Sequence, residues 1–219
     1  MPLVLGEGEP PAGPWRVEPF SELVRLLAAI APVPDHRPRI VAVDGRGGGG
    51  KTTLAERLRA AVPGAAVVHT DDIAWWHSRF GWADLMLGGV LEPLHRGRSV
   101  HYQPPAWASR GRTGHVDVSV ESPLLVIEGV GAARREVTAL IDAAVWVQSD
   151  FAEAERRGIE RDGGDADAAR GWHGWMAEEA PFLAADRPWE RADVIVAGSA
   201  QLAFDPATEV VLAAPLAPV

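Results

Sequence analysis

The feature that most constrains the fold is a glycine-rich octapeptide, Gly-Arg-Gly-Gly-Gly-Gly-Lys-Thr, at residues 45–52. It fits the pattern G-x-x-x-x-G-K-[ST], in which loop amides and a lysine hold phosphate groups. A short apolar run ending in Asp44 precedes the loop, and a helical apolar pattern with Leu54 and Leu58 on one face follows it. A buried strand, a glycine loop and a helix N-terminus together bind phosphate, so an α/β nucleotide-binding fold is predicted. The alternative is a glycine-rich surface loop before an unrelated helix.

Lys51 in this loop is the only lysine among 219 residues, and all other basic side chains are arginines. A lysine is a compact point charge on a flexible stem that reaches between phosphate oxygens, whereas arginine is a planar fork. The use of lysine at this one position therefore supports the phosphate-binding interpretation.

The composition excludes several classes of function. The absence of cysteine rules out disulfides, thiolate zinc sites and cysteine nucleophiles, and it fits a cytoplasmic location. A net charge of −9 argues against nonspecific nucleic-acid binding, which needs a basic surface. The sequence shows neither a signal peptide nor an apolar run of transmembrane length. We therefore expect a small-molecule substrate as partner, no nucleic acid and no membrane, and leave a homodimer open.

Apolar patterning divides the chain into three parts. Residues 1–38 form an N-terminal arm, ordered or loose, followed by a helix over residues 20–31. Residues 39–198 form a P-loop domain, and residues 199–219 form a C-terminal tail with one edge strand at residues 209–213. Within the P-loop domain we expect a small substrate-binding insertion over about residues 73–118, which contains a loop or a small β-ribbon. A lid over the bound phosphates is expected over about residues 156–175.

Five short apolar strands are predicted in the P-loop domain, at residues 39–44, 65–69, 124–129, 143–147 and 192–196. Helical patterns alternate with them, at residues 51–62 and 83–96, in a segment after the fourth strand that ends at about residue 162, and at residues 166–185. Strands that alternate with helices indicate a parallel sheet covered on both faces. The predicted fold class is therefore a P-loop NTPase, a three-layer α/β/α fold with a five-stranded parallel sheet.

The first group of candidate site residues belongs to the glycine loop. Loop amides hold the β-phosphate, Lys51 reaches the β- and γ-phosphates, and the Thr52 hydroxyl coordinates magnesium. Arg46 either contacts phosphate or is solvated, and Asp44 is expected to be structural. The residues assigned to nucleotide binding are Gly45, Gly47, Gly48, Gly49, Gly50, Lys51, Thr52, Thr53 and Arg156.

Acidic residues end two of the predicted strands. Asp71 and Asp72 follow the second strand, and Glu128 ends the third. Ligands of open α/β sheets bind at the carboxyl ends of the strands, where a carboxylate can accept a hydroxyl proton or help to hold magnesium. We assign Asp71 as a catalytic residue and metal ligand, Glu128 as a metal ligand and Asp72 as a substrate contact. The alternative for all three is capping of the segments that follow.

Three arginines lie on the helix after the fourth strand. Arg157 and Arg161 share one helix face and, with Lys51, are assigned to catalysis, because lid arginines neutralise the charge that develops in phosphoryl transfer. Salt bridging is the alternative, since this helix is rich in acidic residues: Glu153, Glu155, Glu160 and Asp162.

Aromatic residues between the second and third strands suggest an acceptor pocket. Trp76, Tyr102 and Trp107 are assigned to substrate binding, because clustered aromatic rings stack planar or apolar ligands. The alternative is that these side chains belong to the core. The histidines show no spacing typical of a zinc site, so magnesium is the only metal expected.

The order of these motifs resembles the uridine kinase and phosphoribulokinase group of small-molecule P-loop kinases. The residues that carry the resemblance are Gly45 to Thr53, Thr-Asp-Asp-Ile at 70–73, Val-Ile-Glu-Gly at 126–129, Arg156, Arg157 and Arg161-Asp162, and Arg-Ala-Asp-Val-Ile at 191–195. The resemblance covers about residues 39–198. It implies that Asp71 is the base that activates an acceptor hydroxyl, that Glu128 assists magnesium, and that the three arginines belong to a lid.

The expected function is therefore an ATP- and Mg²⁺-dependent kinase that phosphorylates a hydroxyl of a small molecule, with a nucleoside as the first choice of acceptor. Members of the family often carry an aspartate in the substrate ribbon, but Pro-Ala-Trp at residues 105–107 has no carboxylate. This departure weakens uridine or cytidine as the acceptor more than it weakens kinase activity. The alternatives are a sugar, a pantothenate-like alcohol or an antibiotic as acceptor, a regulatory ATPase without an acceptor, and an inactive relative.

Overall fold

The computed structural model describes residues 2–30, 34–199 and 202–216. The predicted tail and the predicted end of the first helix at Ala31 therefore lie partly outside the described residues. The strands are β1 (Arg16–Pro19), β2 (Arg39–Gly45), β3 (Ala66–His69), β4 (Val100–Tyr102), β5 (Val116–Val118), β6 (Leu124–Glu128), β7 (Ala143–Gln148), β8 (Val194–Ala197) and β9 (Glu209–Ala213).

The helices lie between these strands, singly or in groups. They are α1 (Phe20–Ile30), α2 (Lys51–Ala61), α3 (Thr70–Ala74), α4 (Ala83–Met86), α5 (Glu92–His95), α6 (Pro105–Ser109), α7 (Arg135–Thr138), α8 (Phe151–Arg161) and α9 (Ala166–Asp186). A π turn, Leu87–Leu91, joins α4 to α5, and a 3₁₀ turn, Pro188–Arg191, precedes β8.

Within the described residues, the main sheet has seven strands in the order β1-β9-β8-β7-β2-β6-β3, two more than the predicted five. The five predicted strands are its parallel part: β8, β7, β2, β6 and β3. β9, predicted as an edge strand, and β1, which was not predicted, add an antiparallel pair at one edge. β1 escaped prediction because its four residues, Arg-Val-Glu-Pro, show no strand periodicity, and its pairing partner is almost 200 residues away in the sequence.

β2 lies between β7 and β6, and all seven of its residues are buried. Alternate side chains of a strand point to opposite faces. Ile40 and Ala42 pack in a core cluster with Met86 of α4, whereas Val41 and Val43 pack in another with Leu23 of α1 and Leu54 of α2. Helices thus cover both faces of the sheet, which gives the predicted three layers.

The segment between β3 and β6 differs in detail from the prediction. The helical pattern at residues 83–96 forms α4 and α5, but a π turn interrupts it at Gly88 and Gly89. A Cβ atom on Gly89 would lie 2.4 Å from the Tyr102 ring, so glycine permits this close approach. β4 and β5 form the expected small ribbon, and α6 lies between them as an unpredicted helix that begins at Pro105.

Among the helices of the described residues, none combines the length and the hydropathy that crossing a membrane requires.

Candidate functional site

The glycine loop joins the end of β2 to the first turn of α2. Gly48 and Gly50 have φ angles of 67° and 97°, in the left-handed region that favours glycine. A Cβ atom on Gly48 would lie only 2.1 Å from the Ala154 carbonyl oxygen, so the loop backbone packs directly against α8. The loop therefore has the geometry that its sequence pattern predicts, with helix α2 beginning at Lys51.

Lys51 is buried at the start of α2, and its Nζ donates to the Arg46 carbonyl oxygen at 2.8 Å. The ammonium is thus held across the loop rather than in solvent. Thr52 and Thr53 follow it and are exposed. The amine, the hydroxyl groups and the loop amides all face one cavity.

This cavity has a volume of about 510 Å³. The side chains that line it beyond residues 47–53 come from four different parts of the chain, and they are Asp71, Arg79, Glu128, Val130, Arg157, Arg161, Asp162, Trp172 and Trp175. The structure therefore brings together the predicted catalytic and metal-binding residues Lys51, Thr52, Asp71, Glu128, Arg157 and Arg161. Gly45 and Arg156, both assigned to nucleotide binding, do not line it.

Asp71 lies in the first turn of α3, directly after β3. Burial raises the pKa of its carboxyl group, and the nearby Glu128 raises it further, whereas Lys51 and Arg161 act in the opposite direction. The result is a carboxylate with more affinity for a proton than an exposed aspartate has. This property suits a group that accepts a proton.

Glu128, at the end of β6, is buried and is contacted by His69 Nδ1 at 2.7 Å. The hydrogen bond to Glu128 raises the pKa of His69. Sequence reasoning did not assign His69 to the site. The parallel register of β3 and β6 pairs His69 with Glu128, and that pairing is the signal that could have identified it.

Asp44 is fully buried and accepts hydrogen bonds from the backbone N–H groups of Gly45 (2.7 Å), Gly131 (2.9 Å) and Ala133 (2.9 Å). It thereby ties the end of β2 to the turn that follows β6, which agrees with the expected structural role. Burial raises its pKa from 3.8 to about 6, although the three amides and Lys51 oppose the shift.

The three predicted arginines of α8 occupy different positions. Arg157 lines the cavity, donates to the Gly198 carbonyl oxygen at 2.8 Å and forms an ion pair with Glu153. Arg161 also lines the cavity and forms an ion pair with Asp162 at 2.8 Å. That hydrogen bond raises the pKa of Arg161, and Asp71 and Glu128 contribute to the rise. Arg157 and Arg161 thus both line the cavity and form salt bridges, so the two alternatives predicted from the sequence do not exclude each other.

Arg156 points elsewhere. Its guanidinium forms an ion pair with Glu160 at 2.7 Å, and about 60% of each side chain is exposed. For Arg156 the structure therefore supports the salt-bridging alternative.

The four residues assigned to substrate binding lie outside the cavity lining. Trp107 is buried and donates from Nε1 to the Asp72 carbonyl oxygen at 2.8 Å. The Asp72 carboxylate pairs with Arg112. Tyr102 packs on Gly89, and Trp76 is 65% exposed with the Arg110 guanidinium 4.3 Å above its ring. The aromatic rings that face the phosphate loop are instead those of Trp172 and Trp175 on α9.

Two glutamates that sequence reasoning did not assign contact the loop. Glu179 of α9 is buried, and both of its carboxylate oxygens accept from the Gly47 N–H, at 3.0 and 3.1 Å. Glu9 of the N-terminal arm is buried and pairs with Arg46 at 2.6 Å. The Arg46 side chain is therefore not solvated, and it does not line the cavity. Neither partnership leaves a periodic signal in the sequence, because each depends on tertiary packing.

The oxygen donors at the cavity fit a magnesium nucleotide. Thr52 offers a hydroxyl, and Asp71 and Glu128 offer carboxylates, which are the hard ligands that Mg²⁺ prefers. Within the described residues, no group of three or more His, Asp or Glu side chains forms a preassembled metal cage. Mg²⁺ is usually held by one or two protein carboxylates together with substrate phosphates and water, so this donor set suits a metal that arrives with its nucleotide.

A second cavity of about 290 Å³ adjoins the loop on its other side. It shares Gly49, Gly50, Thr53 and Arg157 with the first. The remaining lining is mostly apolar: Leu54, Arg57, Val147, Val196, Ala197, Gly198, Phe204, Pro206, Val210 and Val211.

Comparisons with known proteins agree with this architecture. No protein-family model and no curated protein matches the sequence. Among solved structures, a protein from Silicibacter sp. TM1040, provisionally described as a fructose transport system kinase, is 20% identical with a TM-score of 0.57 and covers 78% of this chain and 95% of its own. A protein from Bacillus stearothermophilus, provisionally described as a uridine kinase, is 19% identical with a TM-score of 0.43 and covers 80% of this chain and 97% of its own. The first likeness shows that the chain shares the fold of that protein.

Proposed function

We propose that this protein is an ATP- and Mg²⁺-dependent phosphotransferase that phosphorylates a hydroxyl group of a small molecule. The observation that carries the proposal is one cavity of about 510 Å³ in which the glycine loop and Lys51 meet three carboxylates and three arginines, among them Asp71, Glu128, Arg157 and Arg161. These are the groups that phosphoryl transfer needs: a phosphate cradle, an acid–base residue, metal ligands and cations that neutralise developing charge.

In this proposal the loop amides and Lys51 hold the phosphates of the donor, and a bound Mg²⁺ would neutralise part of the phosphate charge. Thr52, Asp71 and Glu128 would hold the metal. Arg157 and Arg161 would approach the transferred phosphoryl group from α8, as part of a lid over about residues 156–175. Such a transfer proceeds mainly by positioning and electrostatic stabilisation, which a preassembled cavity provides.

Asp71 is the proposed base. It accepts the proton of the acceptor hydroxyl. Because its pKa is raised, Asp71 binds a proton more readily than an exposed aspartate does. His69 positions Glu128 through their 2.7 Å contact. In this proposal Glu128 serves the metal alone, whereas Asp71 both contributes a metal ligand and accepts the proton of the acceptor.

The second cavity supports the choice of a nucleoside triphosphate as donor. It adjoins the loop at Gly49 and Gly50 and is mostly apolar, which suits a purine ring next to a phosphate cradle. We assign the donor base to this cavity, with ATP as the nucleotide.

A nucleoside is the proposed acceptor, bound between the phosphate loop and the insertion over about residues 73–118. The predicted aromatic contacts of the insertion do not line the cavity, but Trp172 and Trp175 offer flat apolar faces there. Sugars belong in the same test, since the neighbour that shares the fold is described as a fructose transport system kinase. The proposal places the protein in the cytoplasm, with neither nucleic acid nor membrane as a partner.

The test is ATP turnover in the presence of Mg²⁺, measured with and without a panel of nucleosides, sugars and alcohols. We expect one class of acceptor to stimulate turnover and to be phosphorylated, and Asp71→Asn to lower that rate by about 10²- to 10⁴-fold. ATP turnover that no acceptor stimulates and that Asp71→Asn leaves unchanged would favour a regulatory ATPase instead. Failure to bind any nucleotide with Mg²⁺ would indicate an inactive relative.

A further inference from the structure

The glycine loop has a single side chain of its own between Asp44 and Lys51. Between Asp44 and Lys51 every residue except Arg46 is glycine, so only Arg46 can fix the loop through a side chain. Glycine has more conformational freedom to lose than any other residue, and such a loop therefore needs external constraints to hold one geometry. The contacts of Arg46 decide how well this loop is ordered.

Both ends of Arg46 make defined contacts. Its carbonyl oxygen accepts from Lys51 Nζ at 2.8 Å and from the Gly49 N–H at 3.2 Å. Its guanidinium pairs with Glu9 at 2.6 Å and lies 5.4 Å from the centre of the Phe151 ring. Since side chain and carbonyl belong to one residue, holding the guanidinium restricts rotation of the peptide group that orients Lys51.

Glu9 is itself rigidly held. Its side chain is 0% exposed and that of Arg46 is 4% exposed. One carboxylate oxygen accepts from Trp146 Nε1 at 2.7 Å and from Gln148 Nε2 at 3.0 Å, both on β7. The other accepts from Arg46 and, at 3.3 Å, from the Gly6 N–H. The central sheet thus fixes the carboxylate, and the carboxylate fixes the arginine.

The N-terminal arm that carries Glu9 is also hydrogen-bonded to β7 and to the start of α8. The Ala12 N–H donates to Gln148 Oε1 at 2.8 Å, and the Val4 N–H donates to Asp150 Oδ2 at 2.8 Å. The Phe151 N–H donates in return to the Val4 carbonyl oxygen at 2.8 Å. The arm therefore connects β7, the glycine loop and the start of α8.

We propose that Glu9 is a positioning residue of the phosphate loop, which holds Arg46 so that the Arg46 carbonyl orients Lys51 and the guanidinium stays out of the phosphate cavity. The inference deepens the proposed function and rests on it for its catalytic consequence. It assigns the N-terminal arm to the nucleotide site, although the arm supplies no contact to the cavity. Without Glu9, Arg46 becomes a buried cation with no carboxylate partner, and the one side chain between Asp44 and Lys51 loses its ion pair.

The first test follows Lys51 itself, because it is the only lysine in the chain. In the nucleotide-free protein, an amine-directed reagent should acylate Lys51 about fivefold faster in Glu9→Gln than in wild type, since the hydrogen bond to the Arg46 carbonyl is weakened. Peptide mass spectrometry separates this site from the N-terminal amine. The matched control is Asp142→Asn, which removes the partly buried Arg37–Asp142 pair elsewhere in the fold. It should lower the melting temperature and leave the acylation rate of Lys51 unchanged.

The second test is kinetic. With Mg²⁺ and the acceptor found by the panel, Glu9→Gln should lower kcat/KM for ATP by about 10- to 100-fold, and Asp142→Asn should not. Equal acylation rates in wild type and Glu9→Gln, together with a lower melting temperature, would show that Glu9 is only structural. The acylation test needs neither nucleotide nor acceptor, so the inference and the proposed function can fail separately.

A second pair of variants covers the case in which Glu9→Gln does not fold. Glu9→Gln/Arg46→Gln and Glu9→Ala/Arg46→Gln both remove the buried charges, but only the first can keep a hydrogen bond between the two side chains. We expect slower acylation of Lys51 in the first variant than in the second. Equal rates in the two would overturn the proposal.

Discussion

The titration of Asp44 gives the most quantitative prediction from this structure. Asp44 is fully buried at the point where β2 enters the glycine loop, and its pKa is raised from 3.8 to about 6. Burial penalises the carboxylate, and three backbone N–H groups only partly offset that penalty. A shift of about two pKa units corresponds to about 3 kcal/mol between the two protonation states.

The sign of the effect follows from proton linkage. Between the unfolded pKa near 3.8 and the folded pKa near 6, the folded state binds the proton more tightly than the unfolded state. The free energy of unfolding contributed by Asp44 is therefore fully present below the lower value and is lost as the pH rises through the upper one. Its loss should be almost complete at pH 7.

The assay compares wild type with Asp44→Asn by urea unfolding at intervals from pH 4 to pH 7, with tryptophan fluorescence as the signal. Asparagine keeps one acceptor oxygen and cannot ionise, although its NH₂ group faces a backbone N–H at a cost of about 1–3 kcal/mol. That cost does not depend on pH. The stability of wild type relative to the variant should therefore fall by about 2–3 kcal/mol over this range.

Two results would refute the reasoning. A difference that stays constant from pH 4 to pH 7 would mean that the pKa of Asp44 is not raised in the folded protein. A difference that grows with pH in favour of wild type would mean that the amides of Gly45, Gly131 and Ala133 outweigh burial and that the folded pKa lies below 3.8.

Two further predictions concern the cavity. Arg161→Ala should lower phosphoryl transfer by about 10²- to 10³-fold and shift the acidic limb of the pH–activity profile upward, because Arg161 lowers the pKa of Asp71. Arg59→Ala, which breaks an exposed ion pair on α2, is the matched control, and an equal loss of activity in both would contradict the role of Arg161. ATP with Mg²⁺ should protect Lys51 from an amine-directed reagent while the N-terminal amine keeps reacting. An acylation rate of Lys51 that is the same with and without ATP would refute the loop assignment.

The parallel strands and the phosphate loop could be predicted from the sequence because both depend on local patterns. A buried strand is a short apolar run, and the loop has a fixed spacing of glycines around a lysine. The residues that end β3 and β6 follow from the same logic, since the carboxyl ends of parallel strands meet at one edge of the sheet. The sequence alone therefore predicts that Asp71 and Glu128 lie near Lys51, and both line the same cavity as Lys51.

The partners of the loop could not be predicted in this way. Glu9 lies 37 residues before Arg46, and Glu179 lies 132 residues after Gly47, so each contact depends on how distant segments pack. Trp107 depends on tertiary packing in the same way. Its place in the chain predicts an acceptor contact, whereas the structure shows its side chain buried, with the Arg112 guanidinium 3.6 Å from the centre of its ring.

The two glutamates also constrain how a triphosphate can bind. Glu9 holds the loop through Arg46, whereas Glu179 holds it through the Gly47 N–H. That amide already donates to a carboxylate, so in this conformation phosphate oxygens must be bound by amides further along the loop, toward Lys51. Glu179 belongs to α9, and α9 packs against α8, the helix that carries Arg157 and Arg161. A phosphate that displaced the Glu179 side chain would therefore do so next to the helix pair that holds both arginines.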